Sequence, residues 1–520
     1  MIRQWADYCR VCSLEAPSCE WFSPYTFLSM FLKLSRIFLF ASFFCVAVVL
    51  TGTFFPFIGG KYYFFRVMVE AATVSLLFWW AFEARTGEFE GQLRRVLRDP
   101  MVIAVSAFAL MFLLASLFAH DPHSAFWSNF ERGEGGFQMI HYYLFFLLLT
   151  LLVQRREEWK TAFVVMLIAG ACMVLYGVLA YIDLACVQAN QLAGEKNIAA
   201  GCPDFGFINS FSGIAPSNAP KGLLAMILEG RFQGSLGNPA YVAPYLLFSM
   251  FYVAWLWLEG KRTRLRTVLY GLLILFYGAF FVFSQTRGAF LGLVAGVGVG
   301  FVYLFITQKS YRVWLLGIAL VFSLGGLGAR NYCLAAQAIP SATPPPLCRL
   351  VDFGLSSQTF QTRFWTWGSA LQGWKERPIL GWGPENFSSV FDKYFDPRHF
   401  VPGQNSETWF DRAHSVLLDY LAETGALGLL SYAALFVVFY SQLLRFFLRH
   451  VHHPRERDEW HLVTISPFQY ALLFSLPVAY LVQGLALFDV LPIYINLFFF
   501  LAFGRSIFKS FIVHHEERRA

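Results

Sequence analysis

Charged residues are scarce in this 520-residue sequence, at 14% of the chain, whereas an ordinary soluble domain has about 25%. Hydrophobic residues reach 57%, and phenylalanine occurs 59 times, more often than aspartate and glutamate together, which number 33. A soluble fold of this length needs a larger polar surface, and a disordered chain needs many charges and few aromatic residues. The composition excludes both classes and predicts an all-α polytopic membrane protein.

Several site patterns are also missing from the sequence. It contains no Asp, Glu and His set at metal-ligand spacing, no phosphate-binding P-loop and no Gly-x-Ser-x-Gly nucleophile motif. We therefore expect no metal and no cofactor. The net charge of +7 does not indicate nucleic acid, because in a membrane protein the placement of Lys and Arg matters more than their sum.

Long apolar runs recur along the chain. A membrane-spanning helix needs about 20 mostly apolar residues. Gly425 and Gly428 lie near the start of the longest run and predict a short re-entrant or surface helix before the span proper. We predict about 12 spans, near 35–58, 63–82, 100–119, 137–153, 161–184, 239–258, 267–284, 288–307, 312–328, 415–447, 467–487 and 490–508.

Basic residues predict the orientation. They cluster in alternate loops, at 85–98, 155–160, 261–266, 309–312 and 445–457, and near both termini. Under the positive-inside rule these loops and both termini are cytoplasmic. The predicted divisions are a cytoplasmic segment 1–34, spans one to nine within 35–328 with an external loop 185–238, an external loop 329–413, spans ten to twelve within 414–510, and a cytoplasmic tail 511–520.

Four cysteines fall in the two long external loops. Cys186 and Cys202 share one loop, and Cys333 and Cys348 share the other. On an oxidising face each pair could form a disulfide. Four free thiols are the alternative.

Polar residues interrupt the apolar pattern at four places, all at predicted external ends of spans or in external loops. The first is 230–239 (GRFQGSLGNP), where Arg231 and Asn238 precede a span. The second is 284–288 (SQTRG), a tight hairpin that brings Arg287 to the interface. A snorkelling arginine that anchors a helix end would explain Arg287 alone. Anchoring of a helix end explains Ser284 and its polar neighbours less well, so we favour a functional site here.

The third place lies in the long loop. Arg363 is on a predicted aromatic helix that lies on the membrane surface or plugs the bundle. A turn-rich strip follows at 377–387 and carries Arg377 and Glu385. The helix is predicted from the helical spacing of Phe360, Phe364, Trp367, Leu371 and Trp374.

The fourth place is 411–415 (DRAHS), where Arg412 and His414 enter a span that also carries Glu423. A single histidine is usually a hydrogen-bonded interface residue, but this one stands beside other charges. Arginine binds phosphate oxygens bidentately, and histidine can accept a proton from a hydroxyl. Together the four places fit displacement at a carbon whose leaving group is a lipid-bound pyrophosphate.

These stretches resemble, in order, four motifs of the O-antigen ligase and polymerase superfamily. Residues 230–239 resemble its Arg-x-x-Gly-x-x-Gly-Asn-Pro stretch, and 284–288 resembles its Ser-x-Ser/Thr-Arg-Gly motif. Residues 377–383 are similar to its Arg-Pro-Ile-Leu-Gly-x-Gly strip, and 414–429 to its His-Asn-x-x-Leu…Glu-x-Gly-x-x-Gly segment. Ser415 stands where the family often has Asn, and Ala240 replaces the second Asn of Asn-Pro-Asn.

The resemblance implies an inverting, metal-independent glycosyltransferase that moves a glycan from undecaprenyl diphosphate to an acceptor, such as lipid A-core, at the external face of the bacterial inner membrane. Arg231 and Arg287 would hold the pyrophosphate, and His414 would orient or deprotonate the acceptor. The implied partners are the lipid-linked donor, a lipid or glycan acceptor and membrane lipids, without nucleic acid. The further residues expected to bind substrate are Arg132, Asn238, Ser284, Arg363, Arg377, Glu385 and Arg412.

Two alternatives remain open. A polysaccharide polymerase or a protein O-glycosyltransferase of the same superfamily would differ mainly in acceptor. A transporter or flippase has a similar number of spans, but it should show internal repeats and charged or broken helices near the midplane. The gathering of polar residues at one face favours the transferase.

Overall fold

The computed structural model of the protein describes residues 24–53, 55–83, 87–129, 133–193, 201, 223–337, 345–351, 358–400, 408–452 and 465–509. Every regular element in these ranges is helical, so the predicted all-α architecture is confirmed. The α-helices are α1 Pro24–Ala41, α2 Gly59–Glu83, α3 Glu88–Leu97, α4 Pro100–Leu117, α5 Pro122–Trp127, α6 Gly136–Leu152, α7 Arg156–Leu192, α8 Leu223–Gly230, α9 Pro239–Glu259, α10 Arg264–Phe283, α11 Arg287–Thr307, α12 Arg312–Gln337, α13 Gln358–Glu376, α14 Phe387–Lys393, α15 Val416–His452, α16 Pro467–Gly484 and α17 Leu491–Lys509. Short 3₁₀ helices lie at Ser42–Ala47, Gly234–Leu236, Lys309–Tyr311, Pro346–Leu350 and Pro397–His399.

Ten of the described helices are long and apolar enough to cross a membrane. They are α1 with its 3₁₀ extension, α2, α4, α7, α9, α10, α11, α12, α15 and α17. The predicted runs near 137–153 and 467–487 form helices α6 and α16, of which α6 has only 17 residues. The protein is therefore a multi-pass membrane protein.

Some helices extend beyond the divisions predicted from the sequence. Helix α1 begins at Pro24 and not near residue 35, and it accommodates Arg36, whose guanidinium pairs with Glu158 at 3.2 Å. Helix α12 continues past residue 328 to Gln337, because its last turns are rich in alanine and other helix-forming residues. The break predicted near the start of α15 is present at Gly425, where φ is 67°.

Proline and a capping side chain define where several helices begin. Asp99 accepts the Met101 N–H before Pro100, and Asn238 accepts the Ala240 N–H before Pro239. Proline suits the first helical position, because it lacks an N–H that would be unpaired there. The sequence thus sets the start of α4 and α9 locally, and the start of α9 bears on the candidate site.

Small residues let α11 and α16 approach closely. A Cβ at Gly292 would lie 2.4 Å from the Ala479 carbonyl oxygen, and one at Gly296 would lie 2.8 Å from the Ala479 Cβ. Packing of this kind is typical of membrane helices, which associate through close contact and not through the hydrophobic effect. It fixes the position of Arg287 at the start of α11.

The two ends of the bundle differ in their contacts. At the Arg505 end, Arg505 pairs with Asp99 at 3.1 Å, and Lys509 donates to Gln154 at 3.3 Å. At the opposite end, termed the Arg231 end, lie the starts of α9, α11, α15 and α17. The polar stretches 230–239, 284–288, 377–387 and 411–415 all lie at the Arg231 end, joined by the contacts described below.

Candidate active site

The strip before α14 docks on the break in α15. Ala426 and Leu427 donate their N–H groups to the carbonyls of Pro378 and Ile379, at 2.8 and 3.2 Å. In return the N–H groups of residues 382 and 383 donate to the carbonyls of residues 422 and 423, at 2.9 and 2.7 Å. The backbone groups left unpaired by the break are thus satisfied by the strip, as buried backbone groups must be.

This docking brings Glu385 to Arg412, whose guanidinium is buried among carboxylates. Arg412 Nη1 donates to both oxygens of Glu423, at 2.9 and 3.0 Å, and Nη2 donates to Glu385. Glu134 Oε2 lies 3.5 Å from Nη2. The four side chains are between 2% and 8% exposed. Burial lowers the pKa of Arg412, but these carboxylates outweigh burial and raise the pKa well above its usual range.

Further groups complete this cluster. Ser128 donates its hydroxyl to Glu385 at 2.9 Å, and Tyr62 donates its hydroxyl to Glu134. Glu134 also accepts the N–H of Leu491, at 2.9 Å, at the start of α17. A carboxylate is favourable there because of the helix dipole. The cluster therefore ties the starts of α15 and α17 to the loop before α6.

His414 lies two residues after Arg412, at the start of α15. Its Nδ1 is 3.1 Å from the Arg412 carbonyl oxygen, which can only accept a hydrogen bond. The neutral ring then has its proton on Nδ1 and its lone pair on Nε2, the nitrogen able to accept a proton. Phe410 and Phe488 contact the ring edge-on, with centroids 5.3 and 5.1 Å away.

The backbone around His414 is held from several sides. Ala413 donates its N–H to Asp419 at 2.6 Å, and its carbonyl accepts the Trp367 Nε1–H at 3.0 Å. Val416 donates its N–H to the Leu487 carbonyl at 2.8 Å. These contacts come from α13, α15 and the loop after α16, so the orientation of the imidazole is determined by tertiary structure.

A second, cationic group surrounds Arg231. Its Nε lies 3.3 Å from the Ser284 carbonyl oxygen, and its Nη2 lies 3.5 Å from Thr286 Oγ1. Phe232 donates its N–H to the Phe283 carbonyl at 3.0 Å. The first two predicted motifs are therefore in direct contact.

Several arginines lower the pKa of Arg231. Burial lowers its pKa to about 10, followed by the positive charges of Arg349, Arg287 and Arg363. Both effects make the charged form of Arg231 less favourable than it is in water, and a bound anion would favour the charged form. The arrangement suits an anion with several oxygens.

Aromatic residues link the two groups. The Phe488 ring lies between His414 and Tyr241, with centroids 5.1 and 6.0 Å away. Tyr241 is two residues past Pro239, whose carbonyl accepts the Thr286 hydroxyl at 3.0 Å. The His414 segment and the arginine group are thus connected through the start of α9.

Backbone strain concentrates at these positions. Among the described residues other than glycine, positive φ occurs at Ser128, Arg231, Gln285, Glu385 and His414, between 50° and 65°. Such conformations are costly for residues with a side chain and gather at functional sites. All five lie in the site or contact a residue of it.

The predicted residues fall into distinct environments. Arg287 and Arg363 both lower the pKa of Arg231, and the carbonyl of Ser284 accepts a hydrogen bond from Arg231. Arg377 stacks on the Trp382 ring, 5.0 Å from its centroid.

The remaining predicted residues have structural partners or lie elsewhere. Glu385 and Arg412 pair with each other, and Asn238 caps α9. Arg132 lies outside the described residues.

The structure describes three of the four loop cysteines. Cys333 and Cys348 form a disulfide, with their Cα atoms 5.4 Å apart. Cys186 is disulfide-bonded as well, whereas Cys202 lies outside the described residues.

The aromatic stripe of α13 does not form the buried face of that helix. Phe364 and Leu371 are exposed, while Thr362, Thr366 and Ala370 are buried. Trp367 is the member of the stripe that reaches the His414 segment. Within the described part of the chain, no group of three or more His, Cys, Asp or Glu residues is arranged to hold a metal ion.

Glu134 and Arg349 are among the residues of the site that the sequence analysis missed. Glu134 is buried in the Arg412 cluster. The one sequence feature that could have indicated it is its position in the short loop, two residues after Arg132. Arg349 lowers the pKa of Arg231. The one sequence feature that could have indicated Arg349 is its position directly after Cys348.

Comparison with protein families gives a match in the second half of the chain. Residues 270–433 match the family model described as O-antigen ligase. The match contains three of the four motifs, and the Arg231 motif lies before it. None of the curated proteins matches the sequence.

Proposed function

Because residues 270–433 make the chain a member of the O-antigen ligase and polymerase superfamily, we propose that it transfers a glycan from undecaprenyl diphosphate to an acceptor hydroxyl, such as one on lipid A-core. The observation that carries the proposal is the gathering of Arg231, Arg287 and Arg363 at the same end of the bundle as His414. The start of α9 connects the two groups through Tyr241 and Phe488. The activity is that of an inverting glycosyltransferase.

The arginines act on the leaving group. Arg231 and Arg287 bind the pyrophosphate oxygens and stabilise the negative charge that develops on them as the glycosidic C–O bond breaks. Arg287 is the first residue of α11, which has no side-chain cap. The N-terminus of that helix thus adds a partial positive charge directed at the same anion.

His414 acts on the acceptor. The acceptor oxygen attacks the anomeric carbon from the face opposite the pyrophosphate, which inverts the configuration. Its proton passes to Nε2 of His414, and the electron pair of the broken bond leaves with undecaprenyl diphosphate. Arg412 is a positioning residue in this scheme, because its carbonyl fixes the imidazole tautomer while its guanidinium is anchored in the carboxylate cluster.

The basic residues at one end of the bundle support an orientation of the protein in the membrane. The Arg505 end carries Arg36, Arg155, Arg156 and Lys509 near its ion pairs. Under the positive-inside rule that end is cytoplasmic and the Arg231 end is external. The protein then works in the bacterial inner membrane with its site on the periplasmic side, where a flipped lipid-linked donor would be presented.

The test is a transfer assay with purified protein, lipid-linked donor and acceptor, in the presence of chelator. His414→Ala should slow turnover by about 10²- to 10⁴-fold, the usual cost of losing a general base, with the dissociation constant of undecaprenyl diphosphate unchanged. Arg287→Ala should weaken that binding. His123→Ala, an exposed histidine on α5, is the matched control. Full activity of His414→Ala, or a requirement for a divalent cation, would contradict the scheme.

A further inference from the structure

We propose that Arg349 is a further donor-binding residue and that the Cys333–Cys348 disulfide holds it in the site, an inference that rests on the proposed function. Arg349 belongs to the 3₁₀ helix Pro346–Leu350, which packs against α8, α11 and α12. Helix α8 ends one residue before Arg231, and α11 begins at Arg287. The short helix therefore packs against the helix that ends before Arg231 and against the helix that begins with Arg287.

The disulfide fixes this short helix to the bundle. Cys348 lies within it, next to Arg349, and is bonded to Cys333 on α12 across a sequence separation of 15. A covalent link of that span removes most of the alternative positions of the segment. Both cysteines are buried, at 8% and 3% exposure, whereas Arg349 is exposed. The buried disulfide thus holds the exposed guanidinium of Arg349 at the surface of the site.

The charges support a shared ligand. Of the cations that lower the pKa of Arg231, Arg349 has the largest effect, ahead of Arg287 and Arg363. Arginines that gather at one place present several guanidinium groups to an anion that binds among them. A diphosphate offers enough oxygens for several guanidinium groups, each of which prefers two.

The experiment measures the dissociation constant of undecaprenyl diphosphate for the purified full-length protein at low salt. Arg349→Ala should weaken binding about tenfold, the effect of losing one charged hydrogen bond. Arg349→Glu should weaken it more. Arg330→Ala removes an exposed arginine from α12 near Cys333 and should change nothing, which controls for net charge.

A double-mutant cycle tests the role of the disulfide. The Cys333→Ser/Cys348→Ser protein retains Arg349 but should bind the diphosphate more weakly, and adding Arg349→Ala should cause little further loss, because the two changes remove one interaction. Fully additive effects would show that the disulfide does not act through Arg349. Should the serine protein not fold, the comparison of Arg349→Ala, Arg349→Glu and Arg330→Ala decides the role of Arg349.

The outcomes separate this inference from the proposed function. If Arg231→Ala weakens binding and Arg349→Ala does not, Arg349 is not a donor-binding residue and the proposed function stands. If neither variant weakens binding, the donor site itself is misplaced. A transfer assay adds a second readout, since Arg349→Ala should raise the donor KM with little change in kcat at saturating donor.

Discussion

Arg412 donates hydrogen bonds to both carboxylate oxygens of Glu423, at 2.9 and 3.0 Å, in the buried interior at the Arg231 end of the bundle. Glu385 and Glu134 contact the same guanidinium. Together the three carboxylates outnumber the one arginine that they surround. The cluster is therefore far more sensitive to the loss of the arginine than to the loss of one carboxylate.

Arg412→Met should destabilise the protein strongly. Removing the cation leaves buried carboxylates without a partner, which costs about 3–5 kcal/mol in comparable buried ion pairs. Glu423→Gln should cost less, because the amide still accepts a hydrogen bond from Arg412 while Glu385 and Glu134 remain. Thermal unfolding in detergent measures both.

Arg398 provides the control for that comparison. It pairs with Asp396 at 2.6 Å, but its side chain is 66% exposed. Arg398→Met should have an effect of about 0–1 kcal/mol, as surface ion pairs do. Equal destabilisation by Arg412→Met and Arg398→Met would contradict the importance assigned to the buried cluster.

Gly425→Ala should disrupt the docking of the strip on α15. The residue has φ of 67°, and an added Cβ would lie 2.3 Å from the Ile379 carbonyl oxygen. The backbone strain alone costs about 1–3 kcal/mol, and displacement of the strip would move Glu385 away from Arg412. We expect a lower melting temperature and loss of transfer.

Gly298 on α11 provides the control for the Gly425→Ala variant. A Cβ there would meet nothing within 4 Å, and the residue lies inside a regular helix. Gly298→Ala should be neutral or slightly stabilising, because alanine has the higher helix propensity. If Gly425→Ala were equally harmless, the backbone exchange between the strip and α15 would not be needed for the fold.

Local features made part of this structure predictable from the sequence. The apolar runs predicted the helices, and the tight 284–288 hairpin placed Arg287 at a helix start. Gly425 and Gly428, near the start of a run too long for one span, predicted an interruption, and the structure has one at Gly425. Each of these depends on residues close in sequence.

Contacts between distant parts of the chain were not predictable. Nothing local indicates that Glu134 meets Arg412, or that the disulfide brings Arg349 to Arg231. The stripe on α13 predicted the helix but did not indicate which of its faces is buried. In a chain this apolar, aromatic residues occupy exposed as well as buried faces, so Phe364 is exposed while Thr366 is buried.

Arg→Lys substitutions at Arg231 and Arg287 should weaken donor binding even though they keep the charge. An ammonium cannot bind two phosphate oxygens in the planar geometry of a guanidinium. We expect the donor KM to rise about tenfold, the cost of one charge-assisted hydrogen bond. Arg264→Lys, an exposed arginine at the start of α10, is the control. A donor KM as low as that of the unmodified protein at both site positions would argue against bidentate recognition.

The pH dependence of donor binding should report Arg231 directly. Burial and the neighbouring arginines lower its pKa to about 10, whereas an ordinary arginine stays protonated well above that pH. A bound pyrophosphate favours the charged form, so binding above pH 10 requires proton uptake by the free protein. The dissociation constant of undecaprenyl diphosphate should therefore be flat from pH 8 to about 9.5 and then rise, approaching tenfold per pH unit above 10. Arg231→Ala should bind more weakly throughout and lack this rise. The same rise in the Arg231→Ala protein would assign the titration to another group.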